Sequence, residues 1–211
     1  MTESVSYAAS DAAFYIAFEG GEGCGKSTQA AIVADRLDAV LTREPGGTPL
    51  GAELRQLLLG SGDHSVSPRA EALMMAADRS QHLQEVILPA LAKGRHVVSD
   101  RSAYSSLAYQ GGGRELGIEN VRIVNDWAVY GRWPDVVVYL QVDRDVASGR
   151  LNRKLDRIEQ EDEWFHKRVT EAFDALAADE PDRWLVVDGS QSVEAVTAEV
   201  WGGLRARLDL A

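Results

Sequence analysis

Cysteine is nearly absent: Cys24 is the only one among 211 residues, so no intrachain disulfide can form. No grouping of cysteine and histidine has zinc-ligand spacing either, which fits a reducing compartment and makes the cytoplasm the expectation. Long apolar runs are also missing. No stretch approaches the ~18 residues of a membrane span, so no membrane association is expected. The first thirteen residues, MTESVSYAASDAA, have neither the basic start nor the apolar run of a signal peptide and are expected to form a mobile tail. Positive charge is in deficit, with 22 Lys and Arg against 33 Asp and Glu and a net charge of −11. That balance argues against a nucleic-acid partner, because such proteins present basic surfaces to phosphate. Basic residues therefore matter where they gather. No repeat, low-complexity tract or linker divides the chain, whose length suits one domain over residues 14–211 with a core of its own.

Short apolar runs alternate with longer amphipathic ones, the order of an α/β fold with a parallel sheet covered by helices. The expected strands are Phe14 to Phe18, Ala39 to Thr42, His96 to Ser99, Asp135 to Val142 and Trp184 to Val187. A helix is expected over Ala70 to Leu91, with Leu83, Ile87 and Leu91 on one face, Ser67 as N-cap and Pro68 in the first turn. Val193, Val196, Val200 and Leu204 repeat the helical pattern near the end. Functional loops are expected at REPGGT (Arg43 to Thr48), at Gly111 to Gly113, and at the basic stretch RLNRKLDR (Arg150 to Arg157).

FEGGEGCGKSTQ, residues 18 to 29, carries the chemistry. Gly20, Gly25, Lys26 and Ser27 fit glycine, four residues, glycine, lysine, serine, directly after an expected strand and before an expected helix. Glycines let backbone N–H groups turn around phosphate oxygens, and the helix start adds positive potential. The lysine reaches the outer phosphates, and the serine can hold Mg²⁺. Gly20, Gly21, Glu22, Gly23, Cys24, Gly25, Lys26, Ser27 and Thr28 are thus the candidate seat of ATP. Cys24 has no partner cysteine and reads as a small loop residue. Glu22 is out of place, since a carboxylate repels phosphate.

A phosphate loop alone leaves kinases, GTPases, ATPases and ligases open. The Asn-Lys-x-Asp guanine motif is missing, and arginines stand instead at the ends of expected strands, Arg43 after the second and Arg101 after the third. FEGGEGCGKSTQ, TREPGGTPLGAELRQLLL, AADRSQH, SDRSAYSSLAYQGGG, PDVVVYLQVD and LDRIEQED, in this order over about residues 14 to 205, closely resemble the bacterial thymidylate kinases, which phosphorylate dTMP to dTDP with ATP.

That resemblance implies a three-layer P-loop kinase fold: a five-stranded parallel sheet flanked by helices, with a small lid over about residues 150–160. It implies that Arg55 grips the acceptor phosphate and that Arg101 bridges acceptor and transferred phosphates, work suited to planar bidentate donors. Asp100 matches the aspartate near Mg²⁺. Arg79 matches the arginine that hydrogen-bonds thymine, Ser106 and Gln110 match polar positions at the base, and Tyr109 matches the aromatic beside the sugar. Two residues depart from the family's habit. Met75 stands where members commonly have a phenylalanine stacked on the base, four residues before Arg79 and so on its helical face; Ser102 stands where many have tyrosine.

The resemblance also implies that the lid supplies basic residues, with Arg150, Arg153, Lys154 and Arg157 the candidates, and that Asp188 to Gln191, including Ser190, border the adenine. Glu22 is implied to face the dTMP sugar, accepting a hydrogen bond from the 3′-hydroxyl or acting through Mg²⁺-bound water. A homodimer through helices that include Ala70 to Leu91 is implied as well. Residue chemistry by itself leaves open a kinase for another nucleoside monophosphate, an ATP-binding regulatory module and a plain ATPase.

Overall fold

The computed structural model describes residues 13–60, 65–150 and 155–210. Residues 1–12 of the expected tail, and Arg153 and Lys154 of the expected lid, lie outside them. Ala13, assigned to the tail from sequence, instead belongs to the core, buried in one apolar cluster with Tyr15 and Val97.

Five parallel strands form one sheet in the order β2-β3-β1-β4-β5: β1 Tyr15–Glu19, β2 Val40–Arg43, β3 Val97–Asp100, β4 Val136–Gln141 and β5 Trp184–Asp188. Every expected strand is present. The first three run one residue later than the hydropathy pattern places them, ending on Glu19, Arg43 and Asp100. Those charged residues still take part in the ladder, Phe18 and Arg43 both facing Asp100 in register. Apolar runs stop at the last uncharged residue, whereas backbone pairing does not. Because all five strands are parallel, their C-terminal ends share one edge, where open α/β sheets bind ligands.

Alternate residues of each strand serve opposite faces of the sheet. Ile16, Phe18, Val98, Val138 and Leu140 pack under α1 (Lys26–Arg36) and α9 (Val193–Leu208), meeting Ala30, Val33, Val200 and Leu204. On the other face Val137, Tyr139 and Trp184 meet Phe165, Phe173 and Leu176 of α8 (Glu163–Asp179).

The helix expected over 70–91 is interrupted. Ser67 accepts from Ala70 N at 3.4 Å with Pro68 in the first turn, as the sequence predicts, but α3 (Pro68–His82) opens into a wide π turn at Leu83–Ile87 before the helix resumes at Leu88–Ala92. Pro89 has no N–H to return to the carbonyl four residues back, and the wider turn precedes it. Gly111 to Gly113 are likewise no open loop. After the short helix Ala103–Ser106, Leu107–Gly113 form a second π turn packed on α8. A Cβ at Gly113 would stand 2.6 Å from the Phe165 ring and one at Gly112 2.7 Å from Ala172 Cβ, so glycine here permits close approach.

Candidate active site

The phosphate loop leaves β1 at Gly20 and enters α1 at Lys26, with Gly23 and Gly25 at φ 72° and 98°. A side chain at Gly23 would meet the Ala147 carbonyl at 2.3 Å, so both backbone angle and space demand glycine. Lys26 folds back over the loop, donating to the Gly20 and Gly21 carbonyls at 3.1 and 2.6 Å, with its Nζ 3.6 Å from Cys24 Sγ. Burial and the Arg101 charge work against its protonation, yet Cys24 and Glu22 outweigh them and its pKa is raised. It stays a cation at neutral pH. Ser27 Oγ donates to Asp100 Oδ2 at 2.5 Å. The two residues assigned to Mg²⁺ from sequence are therefore in contact at the loop. They present hard oxygen atoms, which suits an ion that takes one or two protein ligands and completes its shell with phosphate and water.

Two adjoining cavities open at this edge. One, of about 630 Å³, is lined by the phosphate loop from Glu22 through Gln29, by Asp100, and by Arg150, Gly189 and Gln191. The other, of about 350 Å³, is lined by Met75, Arg79, Ser106, Tyr109 and Gln110, with Asp156, Ile158 and Glu159 across from them. Glu22, Glu44, Arg55 and Arg101 line both. Glu22, odd in a phosphate cradle, thus stands at the junction, paired with Arg101 Nη2. Burial opposes its ionisation, but Arg101 and Lys26 prevail and drive its pKa far below the usual carboxylate range.

Arg101 sits at φ 78°, a left-handed conformation that costs a non-glycine residue ~1–3 kcal/mol. Its backbone N–H donates to Phe18 O, and its guanidinium lies 5.1 Å over the Tyr109 ring and 3.1 Å from Ser105 Oγ. Arg55 donates to the Pro45 carbonyl at 2.9 Å. Burial first, and then the charges of Arg43 and Arg101, lower its pKa. Three arginines therefore crowd one spot in a chain of strongly negative charge, a repulsion that an incoming anion relieves.

Arg79 is 2 % exposed and four of its five N–H donors are engaged: Nε by Glu44, Nη1 by Ser106 Oγ and Asn125 Oδ1, Nη2 by the Ser102 carbonyl. One Nη2 hydrogen is left for a ligand. The Ser106 hydroxyl, an acceptor from Arg79, keeps its own hydrogen for the cavity. Met75 lines the cavity and also belongs to the core cluster with Leu58 and Tyr109. Gln110 donates to Glu71 at 2.9 Å.

Of the arginines expected in the lid, Arg150 reaches the first cavity while donating to the Gly189 and Ser190 carbonyls at 2.8 and 3.0 Å. Ser190 itself is not on the cavity wall, where its neighbours Gly189 and Gln191 stand. Arg157, one of the four basic lid candidates, is directed elsewhere in this structure: it donates to the Leu58 carbonyl and to Glu71 Oε2 at 2.7 Å, and it lines neither cavity. The buried Glu71 carboxylate draws it away.

Several supporting residues escape a sequence reading. Glu19, wholly buried, accepts from the backbone N–H and hydroxyl groups of both Ser102 and Ser105 and so orders the turn that carries Arg101. Glu44 joins Arg79 to His82, whose other ring nitrogen meets Thr42 Oγ1 at 2.6 Å. Asn125, Asp156, Ile158, Glu159 and His166 were also missed. Glu44 carried a signal as a carboxylate beside Arg43 in the glycine-bearing REPGGT loop, and Asp156, Ile158 and Glu159 lie within LDRIEQED, though no role was assigned to them individually.

A family profile described as thymidylate kinase matches residues 18–200. The thymidylate kinase of Leifsonia xyli subsp. xyli is 48 % identical over 204 residues, covering 92 % of this chain and 94 % of its own. That of Clavibacter sepedonicus is 45 % identical over 194 residues, covering 88 % and 92 %. The crystal structure of thymidylate kinase from Ehrlichia chaffeensis superposes with a TM-score of 0.77 at 29 % identity, covering 92 % of this chain and 98 % of that one. With its phosphate loop, its five-stranded parallel sheet and these matches along nearly its whole length, the chain belongs to the thymidylate kinase family.

Proposed function

We propose that this chain transfers the γ-phosphoryl group of Mg-ATP to dTMP, giving dTDP and ADP for dTTP synthesis, with ATP on the phosphate loop and dTMP in the cavity walled by Met75, Arg79 and Tyr109. The observation that carries this reading is the sharing of Arg55 and Arg101 between the two cavities, which sets fixed positive charge where donor and acceptor phosphates meet. An oxygen of the dTMP phosphate attacks the γ-phosphorus in line, and the bond to the β,γ-bridging oxygen breaks as ADP leaves. No general base is required, since the acceptor phosphate is already anionic. The protein's work is to align two anions and to neutralise charge in a loose transition state.

Lys26, Arg55 and Arg101 supply that charge. Arg150, with Arg153 outside the described residues, adds the lid's share, and closure excludes water from the transferring group. Arg157 takes a catalytic part only if it leaves Glu71. Ser27 and Asp100 would hold Mg²⁺, which would supply positive charge beside the donor phosphates. Glu22 accepts the 3′-hydroxyl, and Arg79, Ser106 and Gln110 read the base. Gly189 and Gln191, on the wall of the phosphate-loop cavity, border the adenine. A second copy of the chain packs on the outer faces of α3 and α6 (Ile118–Ala128), where Leu73, Ile123 and Trp127 are exposed at 59 %, 68 % and 84 %. We assign the protein to the cytoplasm on its single cysteine; among the described residues no helix is long and apolar enough to cross a membrane.

The test is purified protein with Mg-ATP, assayed for ADP formation against dTMP, dUMP, dGMP, dCMP and AMP in turn. Turnover with dTMP at the highest kcat/KM is the expected result, and a rate no faster than with the others overturns the reading.

A further inference from the structure

Glu71 has no part in the reaction above, yet it is one of the most completely committed side chains in the molecule. It is fully buried in the first turn of α3, and four N–H groups converge on it. Oε1 accepts from Gln110 Nε2 at 2.9 Å and Arg114 Nε at 3.2 Å; Oε2 accepts from Arg114 Nη2 at 3.1 Å and Arg157 Nη2 at 2.7 Å. Burial opposes its ionisation, but the hydrogen bonds from Arg114, Gln110 and Arg157 overcome that and hold its pKa below the usual value. Glu71 is therefore a carboxylate at neutral pH, able to accept and unable to donate.

That chemistry decides the orientation of Gln110. A side-chain amide has one accepting and one donating end, and turning its oxygen toward Glu71 would set two acceptors against each other in a buried site. The Nε2 end must face Glu71. The Oε1 end, which accepts no hydrogen bond among the described residues, is left on the side of the cavity that Gln110 lines. One and two helical turns along α3 from Glu71, at spacings that share a face, stand Met75 and Arg79 of the same cavity.

The cavity thus offers a base edge one donor that cannot become an acceptor, the spare Arg79 Nη2 hydrogen, and one acceptor that cannot become a donor while Glu71 holds it. Thymine presents the complement, an accepting O4 beside a donating N3–H. Cytosine presents the reverse, a donating amino group beside an accepting N3. We propose that Glu71 is a specificity-positioning residue: by accepting the Gln110 amide N–H it holds the amide oxygen toward the thymine N3–H, and so sets the preference for a thymine over a cytosine nucleotide. This rests on the placement of the base among Met75, Arg79 and Tyr109, and it adds a residue that does not touch substrate.

The test is Glu71→Gln, nearly isosteric but able to donate, which frees the Gln110 amide to turn over. The readout is the ratio of kcat/KM for dTMP to that for dCMP. The ratio is expected to fall about tenfold or more, the scale at which one misdirected polar contact in a recognition site counts, whereas Glu71→Asp, which keeps an acceptor-only group, keeps the preference. A merely structural role lowers both substrates together; a ratio within about twofold of wild type in folded Glu71→Gln overturns the inference. Should that variant fail to fold, Glu71→Gln with Arg114→Gln removes a partly buried cation with the anion and carries the same expectation. Gln110→Leu separates the two levels of argument. A relaxed ratio there with an unchanged one in Glu71→Gln refutes the role of Glu71 alone, while an unchanged ratio in Gln110→Leu refutes the placement of the base and the inference with it.

Discussion

A carboxylate among phosphate-binding groups is repulsive unless a cation neutralises it, and Glu22 meets that condition in its pairing with Arg101 at the junction of the two cavities. If it accepts the sugar 3′-hydroxyl, Glu22→Gln weakens a charge-assisted hydrogen bond. kcat/KM for dTMP then falls about tenfold, and much less for 3′-deoxy-dTMP, which has no hydroxyl to lose; equal losses with both substrates would remove the sugar contact. Met75 walls the acceptor cavity, and a thioether packs on a base less extensively than a ring. Met75→Phe should therefore lower KM for dTMP several-fold, and an unchanged KM would count against stacking at that wall. Glu44 makes a prediction about stability. Burial opposes its charge, but Arg79 and His82 outweigh that and hold its pKa below the ordinary carboxylate value. A carboxylate of this kind contributes stability that is whole above the unfolded pKa of about 4.3 and is lost as pH falls through the folded pKa. Glu44→Gln, which leaves Arg79 buried without its counter-charge, should cost ~3 kcal/mol at pH 7. It should also flatten the loss of stability below pH ~4.3, as read from urea midpoints across pH.

The elements divide into those whose signals are local and those set by packing. β1, the phosphate loop and α1 were legible because an apolar run, glycines at given spacings and a lysine-serine pair are all written within a dozen residues. Ser67 and Pro68 marked the start of α3 for the same reason. What was not legible depends on contacts distant in sequence. Gly111 to Gly113, the end of the π turn at Leu107–Gly113, read as a loop because glycine usually breaks helices, and only the proximity of α8 reveals that these glycines serve close packing. Arg157 stood among four basic lid candidates because nothing in RLNRKLDR announces that Glu71, eighty-six positions away, holds it. Glu19 and Asn125 gave no cue at all, since a buried acid or amide is recognised only by its partners. The packing account is testable. Gly113→Ala places a methyl 2.6 Å from Phe165 and 2.8 Å from Val169, with little room to yield in the α8 core, and should destabilise the fold by ~1–3 kcal/mol. Gly149→Ala, whose Cβ meets nothing within 4 Å, is the matched control, and an unchanged melting temperature in Gly113→Ala would show that the π turn can move off α8.

The parallel sheet brings the ends of β1, β2 and β3 to one edge, and the base wall comes from outside the sheet, on α3 and the turn that follows α5 (Ala103–Ser106). α3 is therefore shared between the acceptor cavity and the helix α6 that packs against it, and Leu73 of α3 and Ile123 and Trp127 of α6 are all exposed. Exposed apolar groups of this size on one face call for a partner, and a second copy presents the same stripe to itself across a twofold axis. The net charge of −11 on each chain opposes such pairing at long range. The association should therefore tighten as salt is raised, because screening removes the repulsion and leaves burial of apolar area intact. Trp127→Glu adds a charge at the centre of the stripe and should move the sedimentation coefficient from that of two chains to that of one. The same variant asks whether the proposed dimer supports the site. Met75 and Arg79 face away from the stripe on the same helix, so losing the support behind α3 should raise KM for dTMP while leaving KM for ATP, bound on the far side of Arg101, nearly unchanged. A Trp127→Glu protein that stays dimeric refutes the interface, and a monomer with unaltered KM for dTMP shows that the base wall stands without it.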